Sequence, residues 1–92
     1  MALTGNQTTQ LCRWAGVLVS DGTALSVLEG CYDRACDWYA KAGCDLTDPA
    51  IQTWLFDLAA WFYDNRGRSD AEIPPFIVKS VHHFRKLSAG GE

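Results

Sequence analysis

Three observations predict an all-α fold, a small bundle of about four helices. Apolar residues recur at intervals of three and four. Glycines, prolines and cap-forming residues cut the chain into helix-length pieces. No stretch alternates apolar and polar positions as a half-buried strand would. The 92 residues, 48% of them apolar and four of them tryptophan, can fill one core but not two, so residues 1–92 read as a single domain. A charged fraction of 21% is too small for a self-repelling disordered chain. Flexible ends are expected at about 1–7 and at "SAGGE", 88–92.

The first element, short and N-terminal, is expected from about Thr8 to Ala15, with Leu11, Trp14 and Ala15 on one side and Gly16 as its stop. The run "VLV" at 17–19 leaves extended chain as the other option there. The second, long helix begins after Ser20 or Asp21, whose side chains can accept from the first free amide groups, and runs to Ala42 before Gly43. Leu25, Leu28, Tyr32, Ala35, Tyr39 and Ala42 form its stripe. The third, also long, starts with Asp48 as cap and Pro49 in the first turn, where a missing N–H costs nothing. Ile51, Leu55, Leu58 and Phe62 are its inner face, and Trp54, Ala59 and Trp61 widen it enough to predict helices on more than one side. The fourth, after a Pro-led loop, opens with Pro74 and Pro75 and carries Phe76, Ile77, Val78, Val81, Phe84 and Leu87.

The formal charge is −3, which gives no general attraction to a phosphate backbone. Its distribution is uneven: residues 1–72 hold ten acids against five bases, while residues 73–92 hold Lys79, Arg85 and Lys86 against Glu92. The basic end suits the negative terminus of the last helix. A small α-helical nucleic-acid-binding or regulatory module using that basic C-terminal helix is therefore the alternative reading of function. No stretch reaches the roughly 20 apolar residues of a membrane span, and "MALTGNQTTQLCRWAG" has neither a basic n-region nor an apolar h-region. A soluble protein with no membrane partner is expected, with Cys12, Cys31, Cys36 and Cys44 as thiols under reducing conditions.

Motifs for chemistry are absent. Cys31 and Cys36 are five apart in a helical pattern, about 140° around its axis, and diverge where a zinc knuckle needs convergence. His82 and His83 are adjacent and point about 100° apart. No nucleophile elbow, phosphate-binding glycine loop or Cys-His motif is present. The expectation is no catalytic residue, no metal, no cofactor and no enzyme. Glu29, Asp33 and Asp37 are spaced by four and make one exposed acidic stripe, with Asp37 and Lys41 as an i, i+4 pair. The cluster "FYDNRGRSD", 62–70, reads as a helix stop: Gly67 in the left-handed conformation, Asn65 tolerant of turn geometry, and Arg66 and Arg68 at the negative dipole end.

The segment "DPAIQTWLFDLAAWFYDNRGRSDAEIPPFIVKSVHHFRKL" resembles the C-terminal half of the small head-tail connector proteins of long-tailed bacteriophages, the head-completion adaptors that bind below the portal. In that family an apolar helix runs into Tyr-(Glu/Asp)-Asn-Arg, a polar loop, a Pro and a last helix ending near an aromatic residue and Arg. Tyr63, Asp64, Asn65 and Arg66 match the first part, Pro74 or Pro75 the second, and Phe84 and Arg85 the third. Upstream, "VSDGTALSVLEGCYDRACDWYAKAG" is similar to the family's first long helix. The family's Lys-x-x-Leu-Arg-(Ile/Val)-Asp run is reduced in "CRWAGVLVSD" to Arg13 and Asp21, and the cysteines are no part of the pattern.

The resemblance implies a structural virion protein made in the host cytoplasm and placed in the neck. About twelve copies would form a ring beneath the dodecameric portal, extend the DNA channel without sequence-specific binding, and offer a docking surface to the next neck, stopper or tail-completion protein. Interface candidates are then Tyr63, Asn65, Arg66, Trp38, Trp54, Trp61, Phe84 and Arg85, since aromatic anchors dominate interface energetics. Glu29, Asp33 and Asp37 are the channel-facing candidates, where like charge would keep DNA from sticking. Arg66 is expected to reach a carboxylate or a helix terminus, within the subunit or on a neighbour.

Overall fold

The computed structural model describes residues 3–68 and 71–85. They form four helices, α1 (Gly5–Ala15), α2 (Gly22–Lys41), α3 (Ile51–Asp64) and α4 (Pro75–Phe84). Among the described residues the only ladder-type pairing is one isolated antiparallel bridge, Cys44 with Arg85. The all-α expectation holds. The expectation for 88–92, and Leu87 as part of the fourth helix, lie outside the described residues.

α1 starts earlier than its apolar periodicity suggested. Thr4 Oγ1 accepts from the Gln7 N–H at 3.2 Å, and the Gln7 side chain accepts from the Thr4 N–H at 3.0 Å. This reciprocal box satisfies two first-turn donors, so residues 4–7, expected to fray, belong to a capped helix start. Gly16, at φ 73°, ends the helix, and the Val17 N–H closes the turn on the Cys12 carbonyl at 2.8 Å. In α2 the cap is Asp21, accepting from the Ala24 N–H at 3.1 Å. Leu28, Tyr32, Ala35 and Tyr39 of its stripe are buried, with Leu25 and Ala42 half-buried at its two ends.

α3 begins later than expected. Asp48 accepts from the Ala50 N–H at 3.0 Å and its carbonyl from the Ile51 N–H at 3.1 Å, so Asp48 and Pro49 make a turn that leads into the helix. Ala50 is the cap residue, with no side-chain bond. At the other end Asn65 is the stop: its backbone N–H and its side-chain Nδ2 both reach the Trp61 carbonyl, at 3.0 and 2.9 Å. Gly67, at φ 82°, lies two residues beyond and redirects a chain that has already left the helix.

α3 is the central element and packs on α1, α2 and α4, as its wide apolar face requires. Leu55, Leu58 and Ala59 are fully buried, joined by Phe56 at 2% exposure, a core residue the predicted stripe passed over. Phe56 holds the rings of Trp14 and Tyr32, each 5.9 Å away between centroids. Trp14 is thus a cover rather than a core residue: 47% exposed, with its Nε1–H donating to Asp57 Oδ1.

α4 turns Ile77, Ser80, Val81 and Phe84 inward and leaves Phe76 and Val78 in solvent. Three bonds fasten it to the end of α2 and the following loop. Tyr39 Oη lies 2.7 Å from Ser80 Oγ. The Asp45 N–H donates to the Phe84 carbonyl at 2.7 Å, and the Cys44 thiol reaches the Val81 carbonyl at 3.8 Å. The result is a flattened molecule, 47 × 32 × 16 Å along its principal axes.

Candidate interaction site at the α2–α3 junction

The stop of α3 builds the most distinctive surface. After Asn65 ends the helix, Arg66 folds back so that its guanidinium donates to the Tyr63 carbonyl and sits 4.1 Å from the centre of the Tyr63 ring. The expectation that Arg66 reaches a helix terminus therefore holds inside the subunit. Arg68 donates to Asn65 Oδ1 at 3.3 Å. From α2, Arg34 places its guanidinium 4.5 Å from the centre of the Phe62 ring. Together Arg34, Arg66 and Arg68 border a groove of about 440 Å³ floored by Trp61, Phe62 and Ile73.

A second hollow of about 460 Å³ continues from it, sharing Arg34, Phe62 and Ile73 and adding Trp38, Asp37 and Lys41. Asp37 and Lys41 form the expected pair at 2.8 Å, both exposed. Trp38 stands edge-on to Tyr39, with centroids 4.9 Å apart. Neither Arg34 nor Arg66 meets a carboxylate among the described residues. Two guanidiniums on an aromatic floor can bind a carboxylate and an apolar side chain at once, because the ring faces stabilise the cations without neutralising them.

Some sequence candidates converge here and others do not. Trp61, Asn65 and Arg66 line the groove, Tyr63 supports Arg66, and Trp38 lies in its continuation. Trp54 stacks on Phe76, 6.2 Å between centroids, in a separate apolar patch. Phe84 is 8% exposed and belongs to the core; as an interface residue it is spent inside the subunit. Arg85 pairs with Cys44 and lies over Gly43. Glu29, Asp33 and Asp37 are all exposed. Arg34, which sequence reasoning passed over, borders both hollows; the available signal was a base next to the acidic stripe.

The four thiols are free and buried. Burial pushes each of them up from its ordinary value; Glu29 adds to the rise at Cys12, while Arg34 and Arg66 oppose it at Cys31 and Arg85 opposes it at Cys44. Among the described residues no three His, Cys, Asp or Glu side chains come together as a metal site, and no helix is long and apolar enough to cross a membrane. His82 and His83 are both exposed. No protein-family model, curated protein or solved structure matches this chain.

Proposed function

We propose that this protein is a structural head-tail connector of a long-tailed bacteriophage, a ring-forming adaptor that binds beneath the portal, extends the DNA channel and presents a surface to the next neck protein. The observation that carries this reading is where the resembling residues fall. Tyr63 to Arg66 form the stop of α3, Pro74 and Pro75 open α4, and Phe84 and Arg85 close it, so each part of the pattern sits at a helix end that it explains physically. The flat shape and two exposed apolar regions are consistent with a subunit that completes its burial by assembly.

In this reading Trp38, Trp61 and Arg66 lie at subunit contacts, Phe76 beside Trp54 offers a docking patch to the portal or the next neck protein, and Glu29, Asp33 and Asp37 face the channel. The work is binding and positioning rather than catalysis. The test is co-purification with the portal protein of the same phage, followed by electron microscopy of the complex. A ring of about twelve copies on the portal is expected; a portal that leaves the protein unbound at micromolar concentrations overturns the proposal. The competing nucleic-acid reading predicts a mobility shift of an oligonucleotide that weakens steeply with salt.

A further inference from the structure

The α1–α2 loop and the groove are separate surfaces of one molecule with complementary chemistry. Leu18 is 73% exposed and Val19 52%, and Asp21 follows them, held in place by the Asp21 N–H bond to the Leu18 carbonyl at 3.0 Å. Val27, on the first turns of α2, adds a further exposed apolar side chain. This is an apolar knob with a carboxylate two residues beyond it, on a loop that the capping of α2 holds in one shape. Thirteen residues further along α2, roughly 20 Å at 1.5 Å per residue, Arg34 begins the groove, where the Arg34 and Arg66 guanidiniums meet no carboxylate among the described residues and the floor is aromatic.

We infer that the loop at Leu18, Val19 and Asp21 of one copy docks in the Arg34–Trp61–Arg66 groove of the next copy. Leu18 and Val19 then cover the Trp61 and Phe62 faces, and the Asp21 carboxylate accepts from the Arg34 and Arg66 guanidiniums. A groove of about 440 Å³ has room for two or three aliphatic side chains. Knob and socket are different patches on one chain, so the contact is heterologous and repeats head to tail, closing into a ring or extending as a filament. The choice of a second copy as occupant rests on the ring reading above. A loop of three contact residues in one groove makes each pairing weak alone, and closure of the ring strengthens it.

Two variants test it. Leu18→Asp removes the knob and leaves the groove; Arg34→Glu damages the groove and leaves the knob. Both positions are exposed, Asp21 is left intact because it caps α2, and Arg34→Gln is a milder groove variant should Arg34→Glu lose helicity by circular dichroism. The wild type should sediment as a concentration-dependent series approaching 1 mM, and each variant alone should associate at least about tenfold more weakly, a loss of about 1.4 kcal/mol. Mixed, the two variants should form a one-to-one pair and stop there, since one sound knob and one sound socket remain. In ¹⁵N-labelled Leu18→Asp protein the Trp61 indole N–H resonance should shift on adding unlabelled Arg34→Glu protein and stay in place on adding the double variant.

A wild type that is monomeric at 1 mM, or variants that associate like the wild type, overturns the inference. The same holds if a single-stranded oligonucleotide or an unrelated acidic peptide moves the Trp61 resonance and the second variant does not. Portal binding separates this result from the functional reading. Portal binding without the pairing removes the inference alone, and pairing without portal binding removes the connector function and leaves the contact.

Discussion

Ser80 is the one buried polar side chain among the described core residues, at 2% exposure. Its hydroxyl donates to the Ile77 carbonyl at 2.6 Å, so its single proton is used there and the Tyr39 hydroxyl must be the donor in the 2.7 Å contact between them. Removing either partner is therefore not equivalent. Ser80→Ala strands a buried Tyr39 donor and should cost about 1–3 kcal/mol, whereas Tyr39→Phe leaves Ser80 still donating and should cost about 1 kcal/mol. Urea unfolding of the two variants gives the order. Tyr32, which accepts from Gln52 Nε2 at 3.0 Å, is pushed up to about 12 by burial, and burial raises Tyr39 and the four thiols as well. Each of these groups ionises in the unfolded chain before it does in the folded one, so the unfolded state holds fewer protons and stability falls as pH rises. The loss should begin near pH 9 with the thiols and continue from pH 10 to about 12 with Tyr32, whose share is on the order of 2 kcal/mol. The urea midpoint measured from pH 8 to 11 should decline throughout the upper part of that range. A thiol-reactive disulfide reagent should modify Cys31 first, because it is the most exposed of the four at 9% and Arg34 and Arg66 favour its thiolate.

At the scale of elements, helix ends decide the architecture and two glycines make opposite predictions. Gly30 lies inside α2, exposed, with nothing within 4 Å of where a Cβ would stand. Gly30→Ala should raise stability by about 0.5–1 kcal/mol through lower unfolded-state entropy and better helix propensity. Gly67 also has open space around it but holds φ 82°, where a side chain is strained whatever the room. Gly67→Ala should cost about 1–2 kcal/mol, and thermal melts of the pair should move in opposite directions. Periodicity and punctuation made four helices, the Asp21 cap and the Gly16 stop legible in the sequence. The start of α1 was legible too, as Thr4-x-x-Gln7, but only to a reading that places a capping box ahead of apolar spacing. The start of α3 was not. Asp48 is a good cap by type, yet Asp45 accepts from both the Thr47 N–H and its hydroxyl, at 3.0 and 2.6 Å, and these successive turns carry the chain to Ala50 before the helix begins.

For the whole molecule, stability is concentrated in α3. Leu58 is fully buried at the centre of the helix that touches all the others, and Leu58→Ala should cost about 2–5 kcal/mol, a large part of the stability of a domain this small. Loss of the cooperative melt by circular dichroism is the expected result. A domain of 92 residues has too little interior to bury four tryptophans as well as its core. Trp14, Trp38, Trp54 and Trp61 are therefore left half covered or exposed along its surfaces, which is the physical basis for expecting assembly.

The sequence alone determined the class of fold, the number and order of the helices and the resemblance carried by the α3 stop, because these follow from local spacing and from which residues tolerate a helix end. Tertiary structure alone decided which aromatic residues became core and which cover. It brought Arg34 across to Phe62 beside Arg66, separated Trp54 from Trp61, and drew Phe84 into the core. A guanidinium meeting a ring 28 positions away depends on how two helices are packed, and spacing within either helix carries no record of that.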